Sequence, residues 1–319
     1  MIRTAFTLIA LTSCALAQMP TKTLRFVHTE SEQAMMEVAT VTRAISEVKP
    51  WADATAKTLR IEGTPAQIAA AEWIFQELDR PAGSPPPDSP RVFKIDDPKQ
   101  EGHIRVFHTA YTPNVQSLQE LATAIRATSE IPRLFTLSEP RIIIVRGTDA
   151  QVAMAEWILS QLDNPNKPGF SVARDPGLRI FYPTTIRTAQ QLQEIATCTR
   201  ALAEIRRLFT YNLKGAIIVR DTPEHLQLAE WLLHQLDQSA PPAQYTASPD
   251  YIMPGEAQDG FVKVFFAPNA STVQDLQSLA VNVRTSTQVR RIFTYNTPRA
   301  LAVRGTANQI ARATDIIKP

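Results

Sequence analysis

Few side chains in this chain combine the types and spacing that chemistry requires. His225 and His234, with Glu224 and Glu230 nearby, come nearest to a metal-ligand set, but they lie nine residues apart on one predicted helix. At about 100° per residue, nine steps turn roughly 900° and point the two imidazoles to opposite faces. His28, His103 and His108 have neither a helical partner nor a cysteine cluster. His28 and His108 share a strand position that Tyr182 and Phe266 fill elsewhere, as a packing position would. Cys198 lies in an apolar helix where related segments carry Val41, Ala124 and Asn282, so it reads as a small, semi-buried residue and not as a nucleophile. No G-x-S-x-G, H-E-x-x-H or Walker sequence occurs, and Gly255 to Gly260 lacks the lysine of a phosphate loop. The sequence predicts no catalytic residue, no metal site and no cofactor, and hence a protein that is not an enzyme.

The recurring basic positions are the sharper signal. Arg25, Arg105, Arg179 and Lys263 share the second place of a predicted first strand, and Arg43, Arg126, Arg200 and Arg284 share a place in the helix after it. Arg133, Arg206, Arg207, Arg290 and Arg291 open a second strand, just before Phe135, Phe209 and Phe293, while Arg146, Arg220 and Arg304 end a third. If Ile217 and Val219 face the helices, then Ile218 and Arg220 face an open sheet surface, and Arg179 and Phe181 are placed with them. Arg105, Arg133, Arg146, Arg179, Arg206, Arg207, Arg220, Arg290, Arg291 and Arg304, with Phe107 and Phe181, form the candidate interaction face. Arginine and aromatic residues are what protein interfaces enrich. The plainer alternative is that these arginines pair with acids of their own segment. Trp73, Trp157 and Trp231 recur at one helical position and are expected to pack the core.

The elements that must position these groups belong to a globular composition: 319 residues, 44% apolar and 20% charged, with a net charge of +2. That balance argues against a strongly basic nucleic-acid binder. No apolar run reaches the roughly 18 residues of a membrane-spanning helix. Residues 1–17 read as a secretory signal peptide, with Arg3, the apolar stretch Thr4 to Leu11 and an Ala15-x-Ala17 cleavage pattern. Leu11-Thr12-Ser13-Cys14 also fits a lipobox, which would place a lipid anchor on Cys14. Loss of residues 1–17 removes Arg3 and no acid, so the charge becomes +1 and Cys198 is the remaining thiol. One cysteine cannot make an internal disulfide, so packing must supply the stability.

The phrase Ala-Glu-Trp recurs at Ala71, Ala155 and Ala229, each time ahead of Leu-Asp, and a turn with threonine precedes it at Gly63, Gly147 and Asp221, with a fourth at Gly305. Those turns lie 84, 74 and 84 residues apart, a period that denotes an array of domains. The predicted repeats span 24–79, 104–163, 178–237 and 262–319. Linkers span 80–103, 164–177 and 238–261, the first and last proline-rich and extended. Val92-Phe93, Phe170 to Val172 and Tyr251 to Met253 are candidate extra edge strands. Each repeat reads strand, helix, two strands, helix. The fold class is α+β: a tandem array of four small two-layer βαββα domains, each a three-stranded sheet with two helices on one face. A repeat of about 60 residues is marginally stable alone, so support from neighbours is expected.

The second repeat's helix "LQELATAIR", its hairpin ending "IIIVRGT" and its helix "AQVAMAEWILSQLD" resemble the repeated amino-terminal domains of bacterial secretins, four times over and across nearly all of the chain after the leader. The resemblance implies a KH-like fold, a periplasmic or outer-membrane-associated location, and contacts with inner-membrane partners or cargo. It does not extend to the β-rich pore domain of that family, so channel activity is not implied. The expected role is an exported, non-enzymatic interaction or scaffold module of the cell envelope, in or beside a secretion or pilus system. Its partners would be copies of itself or secretion components. The alternative is a single-strand nucleic-acid or polyanion binder using the arginine and phenylalanine face. The missing GXXG loop, the export signal and the low charge weigh against nucleic acid.

Overall fold

A computed structural model describes residues 19–81, 91–95, 102–166, 168–255 and 258–318. Residues 1–17, expected to be a signal peptide, with Cys14 among them, and the Pro85–Pro87 cluster lie outside these residues. The first repeat runs β1 (Thr21–Arg25), α1 (Glu32–Ser46), β2 (Lys49–Asp53), β3 (Thr58–Glu62) and α2 (Pro65–Leu78). The second adds an edge strand, β4 (Val92–Lys94), before β5 (His103–His108), α3 (Val115–Ser129), β6 (Arg133–Leu137), β7 (Ile142–Gly147) and α4 (Asp149–Leu162). The third has β8 (Ser171–Asp175), β9 (Leu178–Phe181), α5 (Ala189–Leu202), β10 (Arg207–Tyr211), β11 (Ala216–Arg220) and α6 (Pro223–Leu236). The fourth has β12 (Thr246–Ala247), β13 (Tyr251–Ile252), β14 (Phe261–Phe266), α7 (Val273–Thr287), β15 (Arg291–Tyr295), β16 (Ala300–Gly305) and α8 (Ala307–Ile317). The α+β tandem architecture predicted from the sequence is what the structure shows.

Each sheet is antiparallel, with the third strand of the βαββα unit central, as in β1-β3-β2 and β8-β9-β11-β10. The linker pieces pair with the outer edge of the first strand: β4 with β5, β8 with β9, and both β12 and β13 with β14. The chain forms two compact units, one built on the first repeat and one on the other three.

Local chemistry sets the element ends. Thr64, Thr148 and Thr306 cap the second helices through reciprocal boxes with Gln67, Gln151 and Gln309. The glutamine folds back over Gly63, Gly147 or Gly305, where a Cβ would lie 2.7 to 2.9 Å from its Oε1. The third repeat has Asp221 in place of that glycine and His225 in place of that glutamine, and the two bond each other at 2.8 Å. A bulkier turn residue thus goes with a different third helical residue.

The "Leu-Asp" endings also have a physical role. Asp79 accepts the N–H groups of Val27, His28 and Thr29, and Asp237 those of Thr184 and Thr185, together with the Thr29, Thr184 and Thr185 hydroxyls. Asp163 does the same for Ala110, Tyr111 and the Thr112 hydroxyl. Each aspartate at the end of the last helix ties down the loop that follows the first strand. Burial raises the pKa of Asp79 and Asp237, but these bonds outweigh it and hold both below the usual aspartate value.

Candidate functional site

Cross-strand partners point to the same face of a sheet, so register decides which arginines share a surface. Arg179 pairs with Val219 and Phe181 with Ile217, on the face that packs against α5 and α6. The expectation that Arg179 and Phe181 accompany Arg220 is therefore corrected. The same holds for Arg105 and Phe107, which pair with Val145 and Ile143. Arg105 forms a two-pronged ion pair with Glu156 of α4 and lies 5.0 Å from the Phe107 ring, and Arg179 pairs with Glu230 of α6. The glutamate of Ala-Glu-Trp is thus the partner of the first-strand cation.

In the first repeat that cation is Lys22, paired with Glu72, and not Arg25, because β1 begins at Thr21 and its register sets Lys22 opposite Ile61. In the fourth repeat Thr314 replaces the glutamate, and Lys263 turns to Asp250 of the linker, 2.8 Å away.

The opposite face carries the arginine pairs: Arg133 across from Arg146, Arg207 from Arg220, Arg291 from Arg304. On the third sheet this face also holds Phe209, Tyr211, Ile218 and Ile180, and it is not open. Tyr211, Ile218 and Ile180 are fully buried in one cluster with Leu121, Ala124 and Ile125 of α3. On the fourth sheet Tyr295, Ala300 and Ala302 are likewise buried with Cys198 and Leu202 of α5. Burial pushes the Cys198 thiol up to about 12 and also raises the Tyr295 phenol. Each sheet of the third and fourth repeats is packed on both faces: by its own helices, and by the first helix of the repeat before it.

The polar contacts of these two joints match. Glu120 of α3 accepts the backbone N–H and side-chain amide of Asn212 at 3.0 and 2.9 Å, and Glu194 of α5 accepts the side-chain amide of Asn296 at 3.2 Å. Arg220 donates to the carbonyl of Thr128 and Arg304 to that of Leu202, each in the last turn of the helix it faces. Arg207 pairs with Glu130, and Arg291 and Arg304 pair with Glu204. The arginines meet the negative end of a helix dipole and the carboxylate just beyond it. Glu130 and Glu204 sit in left-handed backbone, at φ 56° and 54°, where glycine is favoured.

The chain is similar to the N-terminal domains of secretins. The N-terminal domain of the Pseudomonas aeruginosa secretin XcpQ is 16% identical over 42% of this chain and 62% of its own, with a TM-score of 0.19. ExeD of Aeromonas hydrophila is 9% identical over 90% of this chain and 59% of its own, with a TM-score of 0.18. A structure of XcpQN012 is 13% identical over 69% of this chain and all of its own, with a TM-score of 0.24. The chain thus spans about three fifths of the length of the XcpQ and ExeD structures. No family model and no curated protein matches it.

The remaining candidate residues fall outside the joints. Arg206 and Arg290 are exposed, immediately ahead of β10 and β15. Arg126, Arg200 and Arg284 donate to the carbonyls of Leu134, Leu208 and Ile292 on the edge strand of their own sheet, which blunts that edge against further strands. The recurring tryptophans are half-buried: the Trp231 ring packs at a tilt of 45° against Tyr251 of the next linker strand, 5.2 Å between ring centres, and braces it. His225 bonds Asp221 and His234 stacks on Phe170, 3.7 Å between ring centres. Among the described residues no group of three or more metal-ligating side chains converges, and no helix is long and apolar enough to cross a membrane.

Proposed function

We propose that this chain is an exported, non-enzymatic scaffold of the bacterial cell envelope that presents secretin-type domains to protein partners of a secretion or pilus system. The observation that carries the reading is the joint itself. Three repeats are stacked through the same helix-end and arginine-pair contacts, used twice, and the groups that look reactive in the sequence are spent on internal packing. The export signal and the family-like motifs support an envelope location. Cell fractionation with N-terminal sequencing, combined with photo-crosslinking from the exposed positions Leu213 and Ile252, tests it. The expected result is a chain processed at Ala17 or Cys14, found with the envelope and cross-linked to components of a secretion or pilus machine. Unprocessed protein in the cytoplasm would refute it. Filter binding across salt checks the polyanion alternative, which needs an open arginine and phenylalanine face, whereas that face is covered on the third and fourth sheets.

A further inference from the structure

We propose that pairing between repeats is decided by a short code on the first helix, and that α7 carries a non-pairing version of it. The code can be read at four positions. The acid that grips the next repeat's asparagine is Glu120 in α3 and Glu194 in α5, with Glu37 at the same place in α1; α7 has Ser278. The small apolar residue under the next sheet is Ala124 or Cys198, with Val41 in α1; α7 has Asn282. The position whose carbonyl receives the arginine is Thr128 or Leu202, with Ile45 in α1, and Ser286 in α7. The left-handed residue past the helix is Glu130 or Glu204, with Glu47 in α1, and Gln288, at φ 57°, in α7. At three of the four positions α7 replaces an acid or a small apolar residue with a neutral polar side chain, and at the fourth Ser286 stands where Thr128, Leu202 and Ile45 do.

The backbone of α7 is not altered in step. The helix keeps the same left-handed cap and the same arginine bond to its own edge strand, from Arg284 to Ile292. Its own core contacts persist in Leu276 and Val283. Only the side chains of the docking surface differ, and Ser278, Asn282 and Ser286 are exposed where their counterparts are buried or half-buried.

The complementary surface is altered in the first repeat. Lys49 and Glu62 stand opposite one another where other sheets carry the arginine pair, and they bond each other at 3.5 Å. Trp51 takes the phenylalanine position, 50% exposed, with Arg60 over its ring. A helix-to-sheet joint joins unlike surfaces, and unlike surfaces on one chain generate rings where the rotation closes and open-ended filaments where it does not, unless an end is blocked. A neutral helix surface and a self-paired sheet surface block this joint against a second copy of the chain.

Two measurements on the full chain without its leader test this. The first is solution mass by light scattering over a range of concentrations. The wild type is expected to keep one mass throughout. A variant carrying Ser278→Glu, Asn282→Ala, Ser286→Thr and Gln288→Glu together with Lys49→Arg, Trp51→Phe and Glu62→Arg is expected to grow with concentration. A wild type that grows with concentration and is returned to monomer by Asn282→Arg would overturn the proposal. The second measurement copies the α7 code into a working joint. Glu194→Ser with Glu204→Gln in α5 should speed labelling of the Cys198 thiol by about tenfold or more, equivalent to about 1.4 kcal/mol of lost joint stability. An unchanged labelling rate, in a variant whose circular dichroism matches the wild type, would overturn it as well.

Discussion

The guanidinium of Arg304 is buried with none of its side chain exposed, and donates at 2.6 Å to the carbonyl of Leu202 in the last turn of α5, a helix of the preceding repeat. Its second nitrogen lies 3.4 Å from Glu204 and its Nε donates to the carbonyl of Asp259. Each of the three guanidinium nitrogens thus faces an oxygen partner, which offsets the cost of burying the charge.

Arg304→Met should therefore be strongly destabilising although it replaces a charge with an apolar side chain of similar length. It leaves the Leu202 and Asp259 carbonyls without their buried donor and the Glu204 carboxylate with Arg291 alone, at a cost of about 3 kcal/mol. Thermal unfolding should show the loss, and Arg291→Met should cost less, because the Arg291 side chain is 31% exposed where that of Arg304 is wholly buried. Equal losses at the two sites would remove the distinction drawn between them.

Asp79 and Asp237 give the stability a defined acid limb. Both have pKa values held below the usual aspartate range, so their contribution is fully present above about pH 4 and is lost as the pH falls through the depressed folded value. Asp237→Asn keeps the shape but turns two acceptor oxygens into one, and should cost about 1 to 2 kcal/mol near neutral pH. It should also flatten the decline in melting temperature below pH 4. A variant that melts with the wild-type pH profile would show that Asp237 is not the titrating group.

Much of the architecture was legible because the repeats repeat. The βαββα order and the extra edge strands at Val92, Ser171 and Tyr251 follow from period, spacing and short apolar runs. The covered sheet faces were legible too: β11 and β16 read Ala-Ile-Ile-Val and Ala-Leu-Ala-Val, apolar at both parities, as strands buried on two sides do. By contrast β3 reads Thr-Leu-Arg-Ile-Glu and alternates. Facing directions were the weak point. A strand of five residues does not declare its register, and a one-residue slip exchanges its faces. The strand sequence alone therefore leaves Arg179 and Phe181 free for either side and does not tell Lys22 from Arg25 as the first-strand cation, which register decides. The glutamate of Ala-Glu-Trp carried the missing signal, since it stands at Glu72, Glu156 and Glu230 where a first-strand cation needs a partner and is lost at Thr314, where Lys263 has Asp250.

Asp221 and His225 should behave as one unit. Asp221 accepts the N–H groups of Arg206 and Thr222 as well as the His225 ring, and these bonds lower its pKa against the effect of burial. Restoring only the common glutamine, His225→Gln, would set its Oε1 against the aspartate Cβ at the distance other repeats avoid with glycine. Asp221→Gly with His225→Gln rebuilds the box found in the other three repeats. The double variant should be more stable than the sum of the single changes predicts, with a coupling of about 1 kcal/mol in a chemical-denaturation cycle. Additive effects would refute the pairing.

Cys198 is the remaining prediction, and its reactivity follows from its place. The thiol is fully buried between α5 and the fourth sheet, with its pKa pushed up to about 12, so the folded protein holds almost no thiolate at neutral pH. Reaction with an aromatic disulfide reagent then requires opening of the joint between the third and fourth repeats. In the opened state the thiol regains an ordinary pKa near 8.5, so the labelling rate should rise about tenfold per pH unit up to that value and then level off. Reaction from the closed state would instead keep rising toward pH 12. Subdenaturing urea should accelerate labelling with a slope well below that of global unfolding, because separating two repeats exposes less surface than melting them. A labelling slope equal to the global one would mean that the fourth repeat separates only when the whole stack unfolds.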